Sequence, residues 1–162
     1  MRYRAGAQAF KSSLIPAHES LDVSSNNKLV TGYNLFEHAD RLDAAIEPFP
    51  DVMIVITSSW RENFNIEALK GFLPPSLAER VIGITPQMFS RDGAMQRVRE
   101  IHAFLEDNDL LDIPWIALDD HGYKFGSINH PNLIFCDGKE GFTDDVAAAL
   151  TKRLRCIQEE IS

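Results

Sequence analysis

The stretch that decides the fold is DVMIVITSSWR, which runs from Asp51 to Arg61. Its apolar run stops abruptly at three hydroxyl side chains, those of Thr57, Ser58 and Ser59. Such a near-continuous apolar run is typical of a buried parallel strand, and in open α/β sheets ligands bind just beyond the carboxyl ends of the strands. The stretch therefore predicts a strand over Val52–Thr57 that brings hydroxyl groups to a ligand-binding edge.

A second stretch has the same form: PWIALDD, from Pro114 to Asp120, predicts a strand over Trp115–Leu118 that ends at two carboxylates. Adjacent carboxylates at the end of a buried strand repel each other unless a cation or hydrogen-bond donors compensate them. Paired carboxylates also suit a hard divalent cation. Surface turns contain Asp-Asp as well, but its place directly after WIAL favours a metal-facing role for Asp119 and Asp120.

The chain from Leu35 onward alternates strands with helices. Residues 1–34 show no sustained period, so we interpret them as an irregular extension or linker, followed by a domain over residues 35–162. Strands that alternate with helices predict a parallel sheet in a three-layer α/β domain. The further predicted elements are strands Val81–Ile84 and Asn132–Cys136 and helices Leu35–Glu47, Ile66–Leu73, Ala94–Glu106 and Thr143–Ile161, with a short helical turn ending at Arg80 and Thr143 as an N-cap.

Bulk properties exclude several classes of protein. The chain has 162 residues, which suits one domain, and carries 16 Lys and Arg against 24 Asp and Glu, for a net charge of -8. A basic footprint for the nucleic-acid backbone is therefore missing at the level of the whole chain, although local contact with a nucleic-acid end stays open. The sequence shows no membrane span, no signal-peptide core and no CxxC pair, so we expect a cytoplasmic protein.

Two arginines are candidates for binding an anion. Arg61 directly follows the hydroxyl cluster, where its guanidinium could grip an anionic substrate with two hydrogen bonds; a solvated arginine at a helix start is the alternative. Arg97 shares the stripe of its helix with Ile101 and Phe104, so it is predicted to be buried, whereas Arg99 falls off the stripe. For Ser58 and its neighbours, helix capping is as good an interpretation as phosphate binding.

The ordered set of these motifs resembles the haloacid dehalogenase-like (HAD) hydrolase superfamily, and more closely its domain in the Swiss-army-knife RNA repair proteins. The resemblance covers about residues 35 to 155 and rests on motifs that occur in the family's order. These motifs are IVITSSWR (Ile54–Arg61), VIGITP (Val81–Pro86), RVREIHAFL (Arg97–Leu105), WIALDD (Trp115–Asp120) and LIFCDGKEGFT (Leu133–Thr143).

The resemblance implies a Rossmann-like sheet of strand order 5-4-1-2-3 and Mg²⁺-dependent hydrolysis of a phosphorylated substrate, such as a nucleic-acid end or a nucleotide. It implies that the hydroxyl of Ser58 or Thr57 binds phosphate and that Arg97 compensates charge. Asp119 and Asp120 would complete the Mg²⁺ site. Arg61 joins this set as a further phosphate-binding candidate.

The family's first motif, an apolar strand followed by Asp-x-Asp, is not found in residues 1–34, where Asp22 is the nearest carboxylate. The expected fold therefore lacks the first central strand, and covalent phosphoryl transfer lacks its attacking carboxylate. Either the reading frame begins upstream of Met1 or the chain has lost its nucleophile. The function expected is a HAD-like phosphohydrolase domain, truncated or inactive as written; the alternative is a non-catalytic phosphate-binding or interaction domain.

Without that strand, a gap about one strand wide would separate Val52–Thr57 from Trp115–Leu118. A segment of residues 1–34 could fill the gap, the two strands could pair directly, or the chain could be unstable, which is the outcome we expect. A receiver domain is disfavoured because its acidic pair precedes its hydroxyl in the chain, and the order here is reversed.

Overall fold

The computed structural model describes residues 38–89 and 93–161. The helices are short except for the last two, and the strands have three or four residues each. In chain order the elements are α1 (Ala39–Ile46), β1 (Ile54–Ile56), α2 (Ile66–Gly71), α3 (Pro75–Ala78), β2 (Val81–Ile84), α4 (Gln96–Asp107), β3 (Ala117–Asp119), β4 (Leu133–Phe135) and α5 (Asp144–Ile161), with 3₁₀ turns at Ser59–Glu62 and Gly122–Phe125.

The strands pair as two parallel ladders. Strand β1 pairs with β2, with Ile54 opposite Val81, and β3 pairs with β4, with Ala117 opposite Leu133. Among the described residues the two pairs form separate two-stranded sheets, so β1 and β3 are not hydrogen-bonded to each other. Direct pairing of these two strands, one of the three possible outcomes, is therefore not what the fold adopts. A strand supplied by residues 1–34 lies outside the described residues.

Both strand pairs contribute to the same two hydrophobic cores, one on each face. Ile56 of β1 and Leu118 of β3 belong to the core under α1, α2, α3 and α5. Val55 and Ala117, their neighbours in sequence, belong to the opposite core, which is built on α4. Successive side chains of a strand point to opposite faces, which produces this alternation. The chain thus forms the predicted three-layer α/β arrangement, with helices on both faces of parallel strands.

The sequence placed these elements correctly and missed the two 3₁₀ turns. The predicted strands are longer than the observed ones; β1, for example, covers Ile54–Ile56 of the predicted Val52–Thr57. Helix α4 begins at Gln96, two residues after the predicted start, and ends at Asp107. Thr143 is confirmed as the N-cap of α5, since its Oγ1 accepts a hydrogen bond from the backbone N–H of Val146 at 3.2 Å. None of the described helices is both long and apolar enough to cross a membrane.

Candidate functional site

A chain of four buried charged side chains joins the end of β1 to the end of β3. It consists of Arg61, Glu100, Arg97 and Asp119, and we call it the buried ion chain. Arg61 Nη2 lies 2.8 Å from Glu100 Oε2, which lies 2.9 Å from Arg97 Nη1, and Arg97 Nε lies 3.2 Å from Asp119 Oδ2. All four side chains are buried. The strand ends that the two motifs predicted are therefore connected through α4.

Glu100 is the centre of this chain, and the sequence analysis missed it. Its Oε2 contacts both arginines, and its Oε1 accepts hydrogen bonds from Met88 N and Gln96 Nε2, each at 3.1 Å. These partners compensate a carboxylate that is 0% exposed. The position of Glu100 in the sequence could have identified it. It comes three residues after Arg97 on the buried stripe of α4, where an acidic residue needs a cation beside it.

Arg97 and Arg99 lie where the helical period predicted. Arg97 is 4% exposed and reaches both Glu100 and Asp119, whereas Arg99 is exposed. Arg97 is thus placed between the two strand ends, and its role toward a ligand stays a prediction.

Arg61 curls back onto the end of its own strand. Its Nη1 donates to the backbone carbonyl of Thr57 and to that of Ser58, the latter at 2.9 Å, while Nη2 pairs with Glu100. Burial lowers the pKa of Arg61, although the nearby Glu100 raises it. Both terminal nitrogens are used within the protein, so the two-bond grip on a substrate is not formed by this arrangement. Nε has no hydrogen-bond partner among the residues described.

The structure distinguishes the two candidate hydroxyls. Ser58 Oγ accepts a hydrogen bond from Trp60 N at 3.1 Å and so caps the 3₁₀ turn, which is the structural alternative that the sequence left open. Thr57 is 0% exposed, and its Oγ1 has no hydrogen-bond partner within the described residues. Buried hydroxyls are normally hydrogen-bonded, and the described residues supply no partner for this one, which leaves it available to a ligand. Thr57 is therefore the better candidate for a ligand-binding hydroxyl.

Asp119 is held as a carboxylate. His121 N donates to its Oδ1 at 2.9 Å, and His121 Nδ1 lies 3.3 Å from the same atom. Desolvation by burial, the largest influence, raises the pKa of Asp119, but the His121 hydrogen bonds and the positive charge of Arg97 outweigh it. The net pKa lies below that of an ordinary aspartate. Asp119 is therefore ionised at neutral pH.

Asp119, Asp120 and His121 form a cluster that could hold a cation, because their ligand atoms lie within 4.8 Å of one another. His121 Nδ1 is 2.8 Å from Asp120 Oδ1 and 3.3 Å from Asp119 Oδ1, so the imidazole contacts both carboxylates. Carboxylate oxygens suit Mg²⁺, whereas imidazole suits transition metals. The donor set thus fits Mg²⁺ on Asp119 and Asp120, with His121 orienting them.

Lys124 is a second residue that the sequence analysis missed. It lies half-buried on the 3₁₀ turn that follows the acidic pair, and within the described residues it forms no ion pair. Burial and the positive charge of Arg97 lower its pKa, while Asp119 and Glu100 raise it. Its ammonium group lies over the Tyr123 ring, 6.0 Å from the ring centroid, and within the field of the buried ion chain.

Parallel strands between helical layers, a hydroxyl at one strand end, an acidic pair at another and a buried cation between them agree with the arrangement expected of a HAD-like domain. The chain belongs to the family described as the HAD domain in Swiss Army Knife RNA repair proteins, whose model matches residues 13–147. The match begins upstream of residue 35, where the sequence patterns placed the domain boundary, and that boundary stays a prediction. Comparisons with curated proteins and with solved structures found no match.

Proposed function

We propose that this domain binds the phosphate group of a nucleic-acid end or a nucleotide, together with Mg²⁺, at the edge formed by the ends of β1 and β3. The observation that carries the proposal is the buried ion chain. It connects the strand end that holds the unpartnered Thr57 hydroxyl to the strand end that holds Asp119 and Asp120. Membership of a family named for RNA repair supports a nucleic-acid end as the substrate class.

Charge explains why Mg²⁺ belongs to the proposal. In the buried ion chain two guanidinium groups face two carboxylates, so its formal charges cancel. A phosphate dianion needs further positive charge, since isolated charges are costly to desolvate. Asp119 and Asp120 would hold Mg²⁺, which when bound neutralises phosphate oxygens and polarises phosphorus. Lys124 supplies the remaining charge from the half-buried turn beside them.

Thr57 and Arg97 have different roles in this proposal. The Thr57 hydroxyl donates to a phosphate oxygen, which would satisfy the orphaned Oγ1. Arg97 holds the Asp119 carboxylate through Nε, at 3.2 Å, and so positions the metal ligand rather than the phosphate. Arg61 supports the same edge by binding the carbonyls of Thr57 and Ser58.

Hydrolysis is a separate part of the proposal. A HAD-like phosphatase needs a carboxylate that attacks phosphorus, and residues 1–34 contain no Asp-x-Asp motif. Asp22 is the nearest carboxylate in the sequence, and it lies inside the range matched by the family model. The competing function is non-catalytic phosphate binding, which the missing motif favours.

The test is to measure binding and turnover separately on the full chain. Titration calorimetry with inorganic phosphate, with and without Mg²⁺, is expected to show binding that requires the metal and is weakened about tenfold or more in Lys124→Met. Turnover of p-nitrophenyl phosphate that is lost in Asp22→Asn would assign catalysis to Asp22, and phosphate binding without turnover would establish the binding domain. Phosphate affinity that is the same with and without Mg²⁺ would refute the proposed site.

A further inference from the structure

A cavity of about 540 Å³ opens beyond the carboxyl end of β2, next to the proposed phosphate site. Its volume falls in the range of roughly 300–1,000 Å³ that is typical of small-molecule pockets. Most of its wall is apolar and includes Ile84, Pro86 and Phe104. The polar groups on the wall belong to Arg61, Thr85, Gln87, Asp107 and Asn108.

Two of these lining residues carry buried polar atoms that have no hydrogen-bond partner among the described residues. Arg61 is 8% exposed and Thr85 is 2% exposed. Within residues 38–89 and 93–161, neither Arg61 Nε nor Thr85 Oγ1 has a hydrogen-bond partner. Buried polar atoms are normally hydrogen-bonded, and the described residues supply no partner for either one, so a polar ligand in the cavity would complete their hydrogen bonding.

Two lining residues, Thr85 and Arg61, connect the cavity to the end of β1. The backbone N–H of Thr85 donates to the carbonyl of Ile56 at 3.0 Å, so Thr85 lies beside the residue that precedes Thr57. Arg61 touches both places, because it lines the cavity and also binds the Thr57 carbonyl. A group attached to a phosphate at Thr57 would therefore extend into this cavity.

The charged residues that line the cavity favour a ligand group without charge. The positive charge of Arg61 is already matched by Glu100, 2.8 Å away, and Asp107 adds a carboxylate to the wall. A second phosphate placed here would face that carboxylate without a free cation among the lining residues, and like charges in a partly desolvated site repel. The cavity thus disfavours a polyphosphate chain and suits a neutral group that makes hydrogen bonds.

The shape of the lining suits a flat ring. The Phe104 ring packs against Gly83, and a Cβ atom at position 83 would come within 2.6 Å of the ring. The ring can therefore take this place in the wall only because residue 83 has no side chain. Asn108 Nδ2 donates to the backbone carbonyl of Phe104 at 2.8 Å, which fixes one amide on the cavity wall, and Gln87 adds a second amide. An aromatic wall with amide groups is the combination that proteins use for unstacked bases, whose edges carry donors and acceptors.

From these observations we infer that the cavity binds the nucleoside of the terminal nucleotide, with its phosphate at Thr57. This inference rests on the proposed function and extends it from phosphate binding to recognition of the nucleotide. Thr85 is the residue that sets this preference, because its hydroxyl has no other partner in the described structure.

The experiment compares inorganic phosphate, glycerol phosphate, adenosine monophosphate and uridine monophosphate by titration with the full chain and Mg²⁺. We expect at least one nucleotide to bind about tenfold more tightly than glycerol phosphate. Thr85→Val and Gln87→Met are each expected to remove most of that gain and to leave the affinity for inorganic phosphate unchanged. Thr151→Val is the matched control, because the Thr151 hydroxyl is bonded within α5 to the Ala147 carbonyl.

The outcomes separate this inference from the proposed function. If inorganic phosphate binds but nucleotides bind no more tightly than glycerol phosphate, the nucleoside site is refuted and the phosphate site stands. If no phosphate compound binds, both proposals fall. Because Gln87 is exposed, its replacement does not threaten folding, so a nucleotide preference that survives in both variants would also refute the role of this cavity.

Discussion

Glu100 Oε2 lies 2.8 Å from Arg61 Nη2, and the exposed fractions of the two side chains are 0% and 3%. This ion pair joins the middle of α4 to the segment after β1, and the same oxygen also binds Arg97. Breaking a buried pair leaves an uncompensated charge, which is far more costly than losing a surface pair. The candidate site is therefore also a part of the structure on which stability depends.

Replacing Glu100 should destabilise the fold strongly. Glu100→Ala leaves two buried guanidinium groups without their shared carboxylate, and we expect the free energy of unfolding to fall by about 3–5 kcal/mol. Urea denaturation measures this change. Glu106→Ala, an exposed position on the same helix, is the control and should change stability by less than about 0.5 kcal/mol. Equal effects of the two substitutions would mean that the ion chain does not stabilise the fold.

The stability of the domain should depend on Asp119 in acid. The folded-state pKa of Asp119 is lowered, so its carboxylate stabilises the fold above the unfolded-state value of about 3.9, and this contribution is lost as the pH falls through the folded-state pKa. The difference in unfolding free energy between the wild type and Asp119→Asn should therefore shrink as the pH drops from about 5 to 2. Asp112→Asn, in an exposed loop, is the control. A difference that is independent of pH would contradict this account.

Substitutions of Thr57 and of Ser58 should have different effects on stability and on phosphate affinity. Thr57→Val removes an orphaned buried hydroxyl, so stability should be unchanged or rise by up to about 1 kcal/mol while phosphate affinity falls. Ser58→Ala removes the cap on Trp60 N and should cost about 1 kcal/mol of stability. Thermal unfolding and phosphate titration of both variants test this. A larger loss of phosphate affinity in Ser58→Ala would assign the binding hydroxyl to Ser58 instead.

A small change near the acidic pair should disturb Mg²⁺ binding. A Cβ atom on Gly138 would come within 2.7 Å of Asp120 Oδ2, so Gly138→Ala must displace that carboxylate. We expect Mg²⁺ binding, measured by calorimetry with phosphate present, to weaken about tenfold while the fold persists. Gly71→Ala is the control, because nothing lies within 4 Å of the added atom. Unchanged metal affinity in Gly138→Ala would argue against Asp120 as a ligand.

The sequence was sufficient for features that depend on near neighbours in the chain. An apolar run that ends in polar residues placed Thr57 and Asp119 at strand ends, because a strand and its end are defined by consecutive residues. The helical period predicted the burial of Arg97 and the exposure of Arg99 for the same reason. Roles toward phosphate and Mg²⁺ stay predictions, because the pattern identifies positions and not ligands.

The tertiary structure decided how these positions are connected. Glu100 reaches Arg61, which lies 39 positions earlier in the chain, only because α4 packs on the face of the strands, and no periodicity in the sequence encodes that contact. Packing also decided that the Thr57 hydroxyl stays without a partner among the described residues, whereas the Ser58 cap on Trp60 N is a contact between near neighbours in the chain. Local patterns thus determined which residues reach the edge of the sheet, whereas long-range packing determined which of them are paired, because burial forces each charged or polar group to find whatever partner the fold brings within reach.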